Sequence, residues 1–202
     1  AGIVSGVGAP LNLMQLVGMN LMTDSFPGLA LSCEPPSEDV MERAPRAPDT
    51  PMISNQRLGV MAIESGFITL GAMAAFLYGR TSGGPGRGST LAFHSLTFAQ
   101  LLHSISSRSE RHSLFDRPAL PRNIWFERAL LGTAAAQMAT VFVPPLRNLM
   151  GTTPLRMVDG LVIAAGAGLP LLANEVFKVV RRKHGWSVHR GQLQGGMNDV
   201  DN

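Results

Sequence analysis

The chain has 202 residues, of which 45% are hydrophobic and 15% are charged, and its formal net charge is +3. A charged fraction well below the usual value of about a quarter indicates a membrane protein. The excess of arginine could suggest nucleic acid, but the arginines are scattered over loops without an aromatic-rich basic patch, so a nucleic-acid partner is not expected. The single cysteine, Cys33, excludes an internal disulfide.

The chain begins inside an apolar stretch at residues 1–9. A membrane-spanning helix needs about twenty residues, so this stretch can only be the end of a preceding helix. We therefore expect the chain to be part of a longer protein. Residues 11–31 form the first predicted span.

A carboxylate, Asp24, lies within this first apolar span. Ionisable groups at that depth are costly and usually serve an ion or a proton. In a helix, Asn20 lies one turn away on the same face and Thr23 lies beside Asp24, while Pro27 leaves the Thr23 carbonyl without its helical donor. Such oxygen atoms suit a hard cation such as Ca²⁺, Mn²⁺, Mg²⁺ or Na⁺. From Asp24 alone, a hydrogen bond that ties two helices together is an equal alternative.

The residues around Asp24 form a long ordered pattern: Asn20-Leu21-Met22-Thr23-Asp24, Pro27, Ala30-Leu31, Glu34-Pro35-Pro36, Asp39, Met41, Arg43 and Pro45-Arg46. The pattern resembles the sixth membrane helix and the following cytosolic loop of P-type cation-transporting ATPases, in the calcium and manganese pump branch and its bacterial relatives. The resemblance implies that Asn20 and Asp24 ligate the transported cation, with Thr23 as a weaker third ligand. It also implies further ligands before residue 1, so this chain would not form a complete site alone.

Four more apolar stretches predict four further spans, near residues 57–79, 91–107, 124–143 and 157–180. Residues 32–56 are rich in proline and acids and predict an extended loop, and residues 79–90 predict a flexible turn. In the second span, glycines at 59, 66 and 71 favour close helix approach. Glu64 is expected to bond to a neighbouring helix rather than to an ion.

The third span carries His94, Thr97, Gln100 and His103 at intervals of three residues, which predicts a polar stripe packed against other helices. His94 and His103 fall on opposite sides of a helix, so they cannot share one metal ion. The end of this span, with Ala99-Gln100-Leu101, His103 and Arg108-Ser109, resembles the eighth helix of the pumps. It has no carboxylate, which by the resemblance implies one ion per cycle.

The predicted fold class is all-α, a multi-pass membrane helical bundle of five spanning helices plus the end of a preceding one. Most of the 17 lysines and arginines fall in loops on one side, which places the 32–56 loop and the C-terminus in the cytosol of a cell-membrane protein. The membrane domain is predicted to cover residues 10–184. Residues 185–202 lack apolar periodicity and predict a disordered cytosolic tail.

The resemblance implies the ion-pathway part of a P-type ATPase that transports Ca²⁺ or Mn²⁺. The Asp-Lys-Thr-Gly phosphorylation motif and the Thr-Gly-Glu loop are absent from the sequence, so this chain is not expected to hydrolyse ATP alone, and no catalytic residue is assigned. ATP and Mg²⁺ would bind in domains outside it. The expected partners are membrane lipid and the N-terminal helices and cytosolic ATPase domains of the same pump. The alternative is a free-standing membrane scaffold or subunit from a split or truncated gene, which binds a partner and transports nothing.

Overall fold

The computed structural model describes residues 8–34, 55–107 and 123–183. All regular elements in these ranges are helical, which confirms the all-α class. They are α1 (Leu13–Asn20), a π-helical segment (Leu21–Ser25), α2 (Phe26–Leu31), α3 (Asn55–Gly83), α4 (Pro85–Ser107), α5 (Ile124–Phe142), α6 (Pro144–Met150) and α7 (Met157–Lys183). The predictions for the preceding helix end, most of the 32–56 loop and the 185–202 tail lie outside the described residues.

Helices α3, α4 and α7 pack against one another and form the main bundle. Its core contains Ala75, Leu91 and Ile163, one from each helix, all nearly inaccessible to solvent. These apolar side chains fill the space where the three helices meet.

Helices α3 and α7 approach closely at Gly71, where an added Cβ would overlap the carbonyl oxygen of Gly166. The predicted role of Gly71 in helix approach is confirmed. A Cβ at Gly59 or Gly66 would meet nothing within 4 Å in the described part of the chain, so the prediction for these two glycines stays a prediction.

The flexible turn predicted at residues 79–90 is replaced by a single residue, Gly84. Gly84 has a φ of +88°, a conformation that glycine adopts without steric cost. Pro85 follows at once, and its fixed φ suits the first position of a helix. The chain therefore reverses from α3 to α4 at one residue. We call this side of the molecule the Gly84 end and the opposite side the Ser107 end.

The first three helical elements form an arm, residues 13–31, that crosses the molecule between the two ends. At the Gly84 end, Asn12 donates from Nδ2 to the Met150 carbonyl at 2.8 Å. At the Ser107 end, Asn123 donates from Nδ2 to the Ala30 carbonyl at 3.1 Å. The π-helical segment and α2 pack on α5, whereas α1 packs on α4 and α6.

Helix α5 ends at Phe142, one residue short of the predicted end of the fourth span and two before Pro144-Pro145. The same prolines occupy the first turn of α6, which bends away from α5 by 90°. Helix α6 ends at Met150, and Gly151 directly after it has a φ of 64°, the left-handed conformation common at helix ends.

Among the described residues, one helix, Leu58–Gly83 within α3, has the 26-residue length and apolar composition needed to cross a membrane. The bent pair α5 and α6 would make a second if it forms a single span. Only 11% of the most apolar stretch of α3 is buried, whereas the core helix of a soluble protein is mostly buried. The five predicted spans remain a prediction, since the arm is interrupted by the π-helical segment and α4 carries many polar residues.

Candidate functional site

The predicted cation ligands lie in and beside the π-helical segment Leu21–Ser25. In a regular α-helix, the ring of Pro27 would clash with the carbonyl of Thr23, and that carbonyl would lose its donor. A π turn bonds residues five apart and therefore widens the helix just before the proline. Pro27 itself is buried, so the local distortion is held in place by packing. Such turns in the middle of a helix occur frequently at functional sites.

The three predicted ligands differ in exposure. Asn20 and Asp24 are exposed and Thr23 is half-buried. The Thr23 hydroxyl lies 3.0 Å from the Met19 carbonyl and 3.3 Å from Oδ1 of Asp24, so either oxygen can accept its hydrogen. The structure therefore brings Thr23 and Asp24 together, and it places Asn20 one turn away on the same segment.

The opposite face of the arm is the buried one. Met19, Pro27 and Ala30 are covered by the rest of the described chain. The oxygen atoms of Asn20 and Asp24 therefore point away from α3, α4, α5 and α7. Within the described ranges, no group of three or more His, Cys, Asp or Glu side chains could hold a metal. The described chain therefore contributes only one side of the candidate site.

The arm is fixed to α5 among the predicted ligands and again at its C-terminal end. Thr133 donates its hydroxyl hydrogen to the Met22 carbonyl at 3.3 Å, directly at the π-helical segment. Asn123 donates to Glu34 Oε2 at 2.7 Å as well as to Ala30. Since the same Asn123 accepts from the Phe126 N–H and caps α5, the end of α2 and the start of α5 are held as one unit.

A buried ion pair between Arg87 and Asp159 was not predicted from the sequence. Arg87 Nε donates to Asp159 Oδ1 at 3.2 Å and Nη2 contacts the same oxygen, while the other carboxylate oxygen accepts from the Arg156 N–H at 2.7 Å. Arg87 also donates to the Ser82 carbonyl. The pair joins the ends of α3, α4 and α7 at the Gly84 end. The rule that singled out Asp24, a carboxylate in an apolar span, also applies to Asp159 and could have found it.

Two further carboxylates lie toward the Ser107 end. Glu64 Oε2 lies 3.8 Å from Nε2 of His103, which agrees with the expectation that Glu64 bonds to a neighbouring helix. Glu175, which the sequence reading missed, is buried and accepts a hydrogen bond from the Ser106 hydroxyl. These contacts link α3 and α7 to α4.

The polar stripe of α4 faces inward as predicted, because His94 and Thr97 are fully buried and Gln100 and His103 are half-buried. His94 Nδ1 lies 2.9 Å from the Thr90 carbonyl, and its Nε2 lies 3.4 Å from the Thr140 hydroxyl on α5. His94 and His103 have separate partners, because His103 Nε2 lies near Glu64 of α3.

The sequence of this chain matches a known protein family. Residues 8–180 match the model of the family described as "Cation transporting ATPase, C-terminus". The chain belongs to this family. The membership confirms the resemblance to the C-terminal domain of P-type cation-transporting ATPases and gives a membrane location.

Individual members of the cation-transporting ATPase family support the same assignment. The chain is 30% identical over 164 residues to a calcium-transporting ATPase of Bacillus subtilis, covering 80% of the chain and 18% of that protein. It is 28% identical over 183 residues to calcium-transporting ATPase 1 of Schizosaccharomyces pombe, covering 90% of the chain and 20% of the relative. The mouse calcium-transporting ATPase type 2C member 2 is 29% identical over 181 residues, covering 87% of the chain and 19% of the relative. The chain thus spans about a fifth of the length of these relatives.

Proposed function

We propose that the chain is the membrane ion-pathway part of a P-type cation pump, and that Asn20, Thr23 and Asp24 ligate a hard cation, Ca²⁺ or Mn²⁺. The observation that carries the proposal is the exposed oxygen-bearing face of the π-helical segment, with Asp24 at its centre. A carboxylate in a membrane helix with no partner of opposite charge beside it in the described chain calls for a cation or a covering helix.

The chemistry of the donors favours calcium or manganese over softer metals. Asn20 and the π-helical segment together offer an amide oxygen, a carboxylate, a hydroxyl and backbone carbonyls, all of which are hard oxygen donors. The π turn widens the helix at these carbonyls. Zn²⁺ prefers thiolate or imidazole, and neither group lies on the arm near Asp24. The relatives named above are calcium-transporting ATPases, which agrees with this selectivity.

Since the described chain supplies the ligands on one side of the site, the other ligands come from preceding helices of the same pump. In this proposal the chain crosses the membrane several times, with its C-terminus in the cytosol, and one ion moves per cycle. ATP and Mg²⁺ bind in cytosolic domains outside this chain. Phosphorylation there would move the preceding helices against the arm and open the site to each side in turn.

The test is cation binding by titration calorimetry with Ca²⁺ and Mn²⁺ in detergent. Two proteins are compared: the chain alone, and a chimera in which the chain, from Gly8 onward, replaces the matching C-terminal part of the Bacillus subtilis calcium-transporting ATPase. We expect the chimera to bind the cation and the chain alone to bind far more weakly. In the chimera, Asp24→Asn should abolish binding, because the neutral amide cannot replace the charge of a carboxylate ligand.

The matched control is Glu64→Gln, which removes a carboxylate elsewhere in the bundle and should leave cation binding unchanged. Retained binding in the Asp24→Asn chimera, with the same affinity as the unmodified chimera, would overturn the assignment. In that case Asp24 is a packing residue, and the alternative of a membrane scaffold that transports nothing becomes the better description.

A further inference from the structure

A row of buried polar side chains runs along one face of α5. Thr133, Gln137 and Thr140 lie at intervals of four and three residues, so they share a face, and their exposed fractions are 3%, 0% and 1%. The outer face of the same helix carries Leu131, which is 71% exposed. The polar face therefore points into the protein, toward the arm and α4.

One end of this row touches the segment that carries the predicted cation ligands. The Thr133 hydroxyl donates to the Met22 carbonyl, inside the π-helical segment and two residues from Asp24. A polar group of α5 therefore contacts the backbone of the candidate site from its buried side.

The other end of the row reaches the loop between α6 and α7 at the Gly84 end. Thr140 lies beside His94, and its carbonyl accepts from the Thr152 hydroxyl. His94 contacts the Thr90 carbonyl, and the Thr90 hydroxyl accepts from the N–H of the half-buried Thr153 at 2.9 Å. A continuous set of polar groups thus extends from the loop to Thr140.

The middle of the row contains unpaired hydrogen-bonding groups. Neither Nε2 nor Oε1 of Gln137 has a hydrogen-bond partner within the part of the chain that the structure describes. Leaving both groups of a buried amide unpaired is costly, so each such group needs an explanation. Because Gln137 is completely inaccessible to solvent, a preceding helix of the pump could not reach it without displacing the arm or α4.

His94 lies beside the unpaired Gln137 amide. Its Nδ1 is 2.9 Å from the Thr90 carbonyl, its ring also hydrogen-bonds the Gln137 backbone carbonyl, and its Nε2 is 3.4 Å from the Thr140 hydroxyl. The Thr140 hydroxyl donates to the Gln137 carbonyl at 2.7 Å, so its oxygen can still accept a hydrogen bond. A small molecule that both donates and accepts would satisfy the Gln137 amide and the Thr140 oxygen together, which is the chemistry of water and not of a metal ion.

We propose that Gln137, Thr140 and His94 form an internal water site, and that the row from Thr153 to Thr133 is a hydrated route from the Gly84 end to the buried side of the π-helical segment. The water site stands independently of cation transport. Its role as a route by which solvent reaches the cation rests on the proposed function above. There, water entering from the Gly84 end would rehydrate the cation as it leaves its ligands.

The water site is tested on the full chain in lipid nanodiscs by hydroxyl-radical footprinting with mass spectrometry, in which radicals formed from bound water oxidise adjacent side chains. We expect His94 to be oxidised about five times faster than Phe126, a control aromatic residue that is equally inaccessible to bulk solvent. Gln137→Leu, which removes both amide groups at similar volume, should lower the His94 rate to that of Phe126. Equal rates for His94 and Phe126 in the unmodified chain would overturn the proposal.

Thermal unfolding of the same variant gives a second readout. If water satisfies the Gln137 amide, Gln137→Leu removes those hydrogen bonds and does not raise the Tm. If the amide is unpaired, leucine removes a buried unsatisfied group and the Tm rises, which contradicts the water site.

The role as a route is tested separately in the chimera. Gln137→Leu should slow the exchange of bound ⁴⁵Ca²⁺ with the solution at the Gly84 end several-fold and leave the equilibrium affinity unchanged. An unchanged exchange rate overturns the route, while footprinting still decides the water site. The effect of Asp24→Asn on cation binding tests the proposed function alone. The two proposals can therefore fail independently.

Discussion

Carboxylates lie in opposite environments in two regions of the molecule, the bundle of α3, α4 and α7 and the arm of residues 13–31. In the bundle, Asp159 is enclosed and receives Arg87 and a backbone N–H. In the arm, Asp24 is exposed and contacts only the adjacent Thr23 hydroxyl among the hydrogen bonds described. A paired buried charge holds helices together, whereas a charge on an open face remains available for a ligand or a partner.

The largest effect is expected from breaking the bundle's ion pair. Arg87→Met leaves Asp159 buried without its counter-charge, which should cost about 3–5 kcal/mol of unfolding free energy, measured by denaturation in detergent. Arg156→Met is the matched control, because that side chain is exposed and only its backbone N–H binds Asp159. The double variant Arg87→Met, Asp159→Leu should recover much of the loss. Equal stability of the two single variants would contradict this account of the bundle.

A smaller effect is expected where α3 meets α7. Gly71→Ala forces a Cβ against the Gly166 backbone and should destabilise the chain by about 1–3 kcal/mol. Gly66→Ala on the same helix faces open space and should stabilise it by about 0.5–1 kcal/mol, since alanine favours the helix. The sign difference between the two thermal shifts is the measurement. Two shifts of the same sign would show that helix propensity, and not close packing, governs both positions.

Detaching the arm from α5 should lower the unfolding free energy by a smaller amount. Asn123→Ala removes the cap of α5 and the bonds to Ala30 and Glu34, with an expected loss of about 1–2 kcal/mol. Amide hydrogen exchange should quicken in α2 and hardly change in α3. Asn148→Ala, at an exposed position of α6, serves as the control. Unchanged exchange in α2 would mean that Asn123 does not hold the arm.

The smallest change in stability is expected at the candidate site itself. Asp24→Asn should alter the unfolding free energy of the chain by less than about 0.5 kcal/mol, because its side chain is exposed and unpaired with any described cation. Asp159→Asn, the same substitution in the bundle, should be far more damaging. If both variants lose stability equally, Asp24 is a packing residue and the contrast between the two regions disappears.

Much of the arm could be predicted from its residues because its signals are local. Pro27 distorts the helix four residues upstream, and a carboxylate at Asp24 stands out in an apolar segment. The π-helical segment itself was not predicted, since the sequence indicates that the regular helix is disturbed but not whether it bends, breaks or widens. The one-residue turn at Gly84 was missed for a similar reason, because a run of glycines and polar residues is equally compatible with a long loop.

The polar contacts across the bundle depended on distant residues and were therefore missed. Asp159 and Glu175 are acids in the last apolar stretch that the sequence analysis did not single out, and their partners lie 72 and 69 residues away. Periodicity assigns such residues to an inner face without identifying the helix opposite. The same is true of Gln137, whose unpaired amide is evident only once α4 and the arm cover it.

The sequence by itself determined the helical class, the family and the location of the candidate ligands, because apolar runs, proline positions and an ordered motif are properties of the chain. The tertiary structure alone decided which polar groups are enclosed and which remain open. Enclosure depends on which helices meet, and that is set by close packing at Gly71, by the turn at Gly84 and by the Arg87–Asp159 pair. Asp24 and Asp159 are the same residue type in similar apolar surroundings, and their neighbours in space make one a candidate ligand and the other a structural anchor.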